Sequence, residues 1–241
     1  MEAARQALIK DFLLVRSPAE ISLEITQGYL ELNHAPLALS VPLISQKMQL
    51  YTMNHVAAVA GECCLYQPIQ RMATVVEHGL GGWHSLEQIM ADPQYVARIR
   101  PDEEYMVTHI MDGWPQFVAV TDVHPVFSSD ARTELRMFDF VRRPVGLARE
   151  EFLSGLAADA SWAATNRHYR SGIAKRVHSV AMAASAPIGL EGEAFDAVIE
   201  VWIADAAELA SLMDEQRQRR SAFCDAIRSC TVMTRERRIR G

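Results

Sequence analysis

The sequence predicts an α+β fold in which two ferredoxin-like βαββαβ repeats close into a pseudo-dimeric α/β barrel within one chain. Two stretches begin alike: "DFLLVRSPAEIS" from Asp11 and "MFDFVRRPVGLA" from Met137 each pass from an apolar strand through an arginine and a proline, so Arg16 and Pro18 recur as Arg142 and Pro144. Three further anchors follow in the same order: "MNHVAAVA" against "RVHSVAMA", "RMATVVEHG" against "FDAVIEVWI", and "FVAVTDVHPV" against "CTVMTRERRI". Anchors that keep their order mark an internal repeat. Short apolar runs and helical patterns also alternate as strand, helix, strand, strand, helix, strand. Helices cover one face of such a sheet and leave the other apolar, so two copies can close face to face.

The first repeat, residues 6–127, reads as a strand over 8–16, a helix from Leu23 to Asn33, strands over 51–60 and 72–77, a helix from Leu86 to Arg98 and a strand over 117–123. Ser85 is the expected N-cap of the second helix, with Glu87 in its first turn. The second repeat, residues 132–240, has shorter loops and carries "EEFLSGLAADASWAA" as its first helix.

At 241 residues, 49 % hydrophobic and 22 % charged, the chain can bury a sizeable core. A formal charge of −6 argues against a nucleic-acid partner. The basic stretches "RQRR" at 217–220 and "RERRIRG" at 235–241 read as a solvated helix face and a charged tail. The opening "MEAARQALIKDFLLVR" is too charged for a signal peptide, and no run reaches the ~18 apolar residues of a membrane span, so a cytoplasmic protein with no membrane partner is expected. Cys63, Cys64, Cys224 and Cys230 show no C-x-x-C spacing and read as buried free thiols. None of the eight histidines falls in a tight ligand spacing, and "GLGG" lacks the context of a nucleotide loop. No metal and no cofactor is expected.

"YLELNHAPLALSVP", with "KMQLYTMNHVA" downstream, resembles the signature of the EthD family of dimeric α/β-barrel proteins. His34, Tyr51, Asn54 and His55 stand at its motif positions, and "DPQYVARIRPDEEYMV" resembles its second helix and acidic follow-on. The second copy is degenerate, with Ala158, Asp159 and Ala160 where a histidine would recur. The family and its superfamily include cofactor-free monooxygenases of phenols, muconolactone isomerases, polyketide cyclases and dehydratases, and haem-handling members. The resemblance therefore implies fold far better than reaction.

His34, Tyr51 and His55 are the candidate catalytic residues. Tyr51 and His55 share one strand face, and His34 comes from the helix beside it, offering a base poised near neutral pH and two groups to polarise an oxygen. Each reads equally as a packing residue with a satisfied hydrogen bond. Tyr29, Asn54, Glu77, Trp83, Phe117, Phe140 and Glu200 are the candidate substrate-binding residues. Glu77 and Glu200 end matching apolar runs; inside a barrel their pKa would rise, while at an edge they would be solvated. Asp102 and Glu103 read as an exposed loop. Tyr29, Tyr51, Trp83, Trp114, Phe117, Phe138, Phe140, Trp162 and Trp202 are core or the lining of an apolar cavity.

The expected function is a cofactor-independent lyase or isomerase, effecting dehydration, cyclisation or double-bond migration on a hydrophobic phenolic or lactone-like molecule. The alternatives are a cofactor-free monooxygenase of a phenolic substrate and a non-catalytic carrier of an apolar metabolite. The tandem repeat supplies within one chain what a single-copy relative obtains by dimerising, and leftover sheet edges leave room for a homodimer. The working pocket is expected in the first copy.

Overall fold

In the computed structural model, which describes residues 9–57, 64–130, 133, 135–181 and 195–240, eight strands form one closed barrel. They are β1 (Ile9–Arg16), β2 (Met48–Val56), β3 (Met72–Leu80), β4 (Gln116–Ser128), β5 (Leu135–Val141), β6 (Ile173–Ala181), β7 (Ala197–Ile203) and β8 (Cys230–Arg240). Every neighbouring pair is antiparallel. Around the barrel they run β1-β3-β2-β8-β5-β7-β6-β4. The first four strands are thus ordered β4-β1-β3-β2 and the last four β8-β5-β7-β6, the same order twice, joined at the β2–β8 and β4–β6 seams.

Helices cover the outside. The first half carries α1 (Leu23–Tyr29), α2 (Ala35–Leu39), α3 (Pro42–Lys47), α4 (Trp83–Ala91) and α5 (Arg100–His109). The second carries α6 (Arg149–Thr165), α7 (Arg167–Gly172), α8 (Ala206–Ser211) and α9 (Met213–Arg220). No helix among the described residues is long and apolar enough to cross a membrane.

The period-2 alternation of the strands divides the core into three parts. Along β1, Phe12 and Leu14 face the barrel interior, packing with Val75, Val118, Phe138 and Phe140. Phe12 meets Phe138 and Phe140 edge-on at 5.8 and 5.9 Å. The intervening residues face the helices, where Val15 joins Leu30, Ile44, Met53 and Ile99. A matching helix-and-sheet core in the second half gathers Phe152, Leu156, Ile199, Val201 and Phe223. Burying each such side chain contributes about 1.5 to 3 kcal/mol.

Several local expectations are corrected. The first helix does not stop at Asn33. It passes through one π turn, Leu30–His34, directly into α2. Helix α4 begins at Trp83, not Leu86, because Gly82 adopts φ 147° and turns the chain sharply out of β3, so Ser85 lies inside the helix rather than capping it. The second helical stretch does not end at Arg98. It runs through another π turn, Tyr95–Ile99, into α5, so Asp102 and Glu103 lie in the first turn of a helix and not in a loop. "RERRIRG" is not a free tail, since Arg235–Arg240 complete β8 against β2. Strand β2 begins at Met48 and is described as far as Val56; Ala58 to Ala60, expected to extend it, lie outside the described residues. Cys224 and Cys230 are buried free thiols as expected, Cys64 is half-buried rather than buried, and Cys63 lies outside the described residues.

Candidate active site

The two π turns of the first half face each other across a cleft between its helices and its sheet. A π turn widens a helix by one residue and is often found where side chains are aimed at a function. Leu30 and His34 from one turn, and Tyr95 and Ile99 from the other, line a cavity of about 150 Å³. Cavities of that order accept a benzene-sized ring in a protein interior. Its walls are largely apolar: Leu13, Val15, Val76 and Leu80 from the sheet, and Ile89, Met90 and Met106 from the helices. Into this lining project His34, Tyr51, His78, Asp11, Glu103 and, at the rim, Arg100.

His34 is fixed from behind. Its Nδ1 lies 2.7 Å from Oδ2 of Asp102, whose Oδ1 accepts a 2.6 Å hydrogen bond from the Tyr29 hydroxyl. Burial would raise the Asp102 carboxyl, but the hydrogen bonds from His34 and Tyr29 hold it below its usual value. Asp102 therefore stays ionised and accepts the hydrogen bond of the Nδ1–H, a tautomer that leaves Nε2 of His34 as an acceptor for the cavity. Beside it on α5, Glu103 receives the Tyr95 hydroxyl at 2.8 Å, with Arg100 at 3.5 Å. Burial pushes the Glu103 carboxyl up despite those partners.

The sheet supplies a second imidazole. His78 on β3 places Nδ1 2.9 Å from Oδ1 of Asp11 on β1, whose side chain is 2 % exposed. Tyr51 on β2 packs edge-on against the His78 ring at 4.8 Å. Burial raises the Tyr51 phenol, and Glu103, Asp102 and Asp11 raise it further, so it remains a neutral donor among three carboxylates.

Of the residues singled out from sequence, His34, Tyr51, Trp114 and Phe117 line this cavity, and Tyr29 acts behind it. Trp83 packs edge-on against Phe117 at 6.4 Å without itself lining the cavity. His55 shares the strand face of Tyr51 but sits beyond the cavity, where its Nε2 meets Glu31 at 3.1 Å. Asn54, Glu77, Phe140 and Glu200 face the barrel interior instead. There Arg136 pairs with Glu77 at 2.7 Å and with Glu200, and reaches Asn54 at 3.1 Å, while Lys10 pairs with both glutamates. The expectation of a raised glutamate is reversed at Glu77. Burial alone would raise it, but Arg136 and Lys10 hold it down at about 2. Asp11, His78, Tyr95, Arg100 and the buried roles of Asp102 and Glu103 were not anticipated; Asp11 and His78 become partners only through the β1–β3 register.

The corresponding cleft of the second half is filled. Asp159, at the helix position opposite a missing histidine, pairs with Arg176 and, at 3.2 Å, with Arg220; Arg220 also reaches Asp139 at 2.8 Å. Arg176 donates to His178 Nε2 at 2.8 Å. Burial and then the Arg176 charge hold His178 well below the ordinary histidine value, so it stays neutral. Among the described residues no three His, Cys, Asp or Glu side chains gather as a metal-ligand set.

No protein-family profile and no curated protein matches the sequence. Solved structures do match in shape. An anthrone oxidase-like protein aligns over 99 % of this chain and 95 % of its own, at 16 % identity and a TM-score of 0.59. A putative monooxygenase from Fusobacterium nucleatum aligns over 100 % and 97 %, at 7 % identity and 0.58. The chain has the dimeric α+β-barrel fold. The chlorite dismutase of Candidatus Nitrospira defluvii shares it too, over 96 % and 92 % at 8 % identity and a TM-score of 0.54. At these identities the likeness carries the fold alone.

Proposed function

We propose that the first-half cavity is the active site of a cofactor-free oxygenase acting on a hydrophobic aromatic compound with an acidic C–H or O–H. The observation that carries this reading is the Tyr29–Asp102–His34 chain, which presents one oriented imidazole acceptor to an apolar cavity. His34 removes a proton and Tyr51 donates to the oxygen on which the negative charge collects. The carbanion form of the substrate then combines directly with dioxygen. A methylene between activating groups and one dioxygen molecule give a ketone and one water, the carbon being oxidised and dioxygen reduced. The printed names of two fold neighbours, anthrone oxidase-like and putative monooxygenase, agree with this chemistry.

A lyase or isomerase reading draws on Glu103, whose raised carboxyl lines the same cavity and is suited to returning a proton. Anthrone, offered with and without air, separates the two. Oxygen uptake that disappears in His34→Ala supports the oxygenase. Unchanged anthrone under air overturns it, and isomerised product without oxygen favours the second reading. We further take the halves as tandem EthD-like ferredoxin units, residues 6–127 and 132–240. The second half then completes the barrel, with a small hydrophobic molecule as the partner.

A further inference from the structure

Converting a methylene to a carbonyl removes two C–H protons, one before dioxygen adds and one after. A single base in the apolar cavity accounts for the first. The structure holds a second carboxylate-bound imidazole in the same space. Asp11, His78 and Tyr51 form one row across three adjacent strands: Asp11 is the register partner of His78 on β1–β3, and Tyr51 is its partner on β2–β3. All three face the helices and line the cavity. His34 and Glu103 line the same cavity from the helices, and Tyr51 feels the charges of Glu103 and Asp102 from that layer and of Asp11 from the sheet. Tyr51 packs against one imidazole and shares the cavity with the other, and each imidazole has its Nδ1 on a carboxylate so that Nε2 is left for whatever enters.

Nothing in packing alone calls for this. The Asp11 side chain is 2 % exposed and would be costly to bury ionised without a partner, yet an apolar residue at both positions would fill the cleft at lower cost. The second half does close its own cleft, with arginines paired to carboxylates.

We infer that His78, held by Asp11, is a second base of this site, resting on the oxygenase reading above. His34 takes the first proton from the methylene. The carbanion adds dioxygen to give a peroxide anion on that carbon, and the protonated His34 returns its proton to give the hydroperoxide, with one C–H still in place. Neutral His78 then removes the remaining C–H proton as the O–O bond breaks; the C–H electron pair forms the C=O bond, and hydroxide leaves. Hydroxide and the proton on His78 combine as water, so both imidazoles end neutral and the products are the ketone and water.

Two measurements test this. In the unmodified protein, ¹⁵N NMR of the histidine side chains during titration with 2-naphthol should move Nε2 of both His34 and His78. Movement of His34 alone overturns the inference, and movement of neither overturns the cavity as the site and the inference with it. In turnover of anthrone under air, His78→Asn should raise the ratio of hydroperoxide to ketone by tenfold or more, whereas His34→Ala stops oxygen uptake before either forms. A parental product ratio in His78→Asn overturns the second-base role. Absence of oxygen uptake by the unmodified protein instead marks failure of the oxygenase reading, which the NMR titration distinguishes by reporting contact with His78. Should His78→Asn not fold, Asp11→Asn, which leaves the imidazole but frees its Nδ1, should shift the same ratio.

Discussion

The two clefts beneath the helices of this barrel share a strand order and a layer arrangement, yet one is hollow and the other is full. In the first half, imidazoles held by carboxylates border a mostly apolar cavity. In the second, Arg176 and Arg220 reach across the same kind of space to Asp159 and Asp139 and close it with charge. A planar guanidinium offers five donors and can join several elements at once, which makes it a filler that also ties helix to sheet. An imidazole makes fewer bonds and leaves a nitrogen unspent. On the function proposed above, one architecture assigns recognition to one half and cohesion to the other.

The most damaging change should fall on the filled cleft. Arg220→Ala removes the link between α9 and both Asp159 and Asp139, leaving two buried carboxylates short of a cation, and should cost about 3 to 5 kcal/mol. Thermal or urea unfolding measures it, and a loss below about 1 kcal/mol would contradict the cohesive role. Acid should act on the same groups. Asp159 is held at about 2 by Arg176 and Arg220 against the raising effect of burial, and Glu77 likewise by Arg136 and Lys10. A depressed carboxyl stabilises the fold above the unfolded value near 4 and loses that contribution as pH falls toward 2. His178 acts earlier. Its folded pKa lies well below 6.5, so below pH 6.5 the unfolded chain takes up a proton that the folded one refuses. Urea midpoints should therefore decline gently from pH 6.5 and steeply below pH 4.

On the hollow side the expected losses are in rate, not stability. His34→Ala should lower turnover by about 10² or more with the fold intact. Asp102→Asn should cost about 10-fold or more, because an amide no longer fixes the proton on Nδ1 and the imidazole can present the wrong nitrogen. If both variants turned over at the parental rate in steady-state assays, the cavity would not be the working site.

Some of this division was legible in the sequence. Period-2 alternation and the recurrent Arg-x-Pro anchors indicated the two sets of strands, because burial on a sheet leaves that imprint directly. His34 and Tyr51 stood in a recognisable local motif. Asp102 reads from sequence as part of an exposed loop, whereas the chain turns straight into α5, whose first turn holds Pro101 at no cost because its missing N–H has no partner to lose there. Glu77 and Glu200 end matching apolar runs, but their fate rests on Arg136 of β5 and Lys10 of β1, one cation from each half of the chain, which pair with both glutamates. His78 and Asp11 meet only through strand register, and no local pattern carries register between strands 67 residues apart.

The mildest expected change sharpens the contrast between the halves. His178 has the appearance of an active-site histidine: it is buried, its pKa is displaced, and Arg176 donates to its Nε2. Its neighbours, however, are the ion pairs that fill the second cleft, and the cavity with its two oriented imidazoles belongs to the first. In His178→Gln the amide oxygen can still accept from Arg176, so the arginine keeps a partner and the cleft keeps most of its volume. Turnover should stay within about twofold of the parental rate, since distant sites with no shared partner act independently. Unfolding in urea should lose its dependence on pH between 6.5 and 5, because glutamine has no proton to take up when the chain unfolds. A large loss of turnover in this variant, with the unfolding midpoint unchanged, would move the chemistry into the second half and undo the assignment of roles.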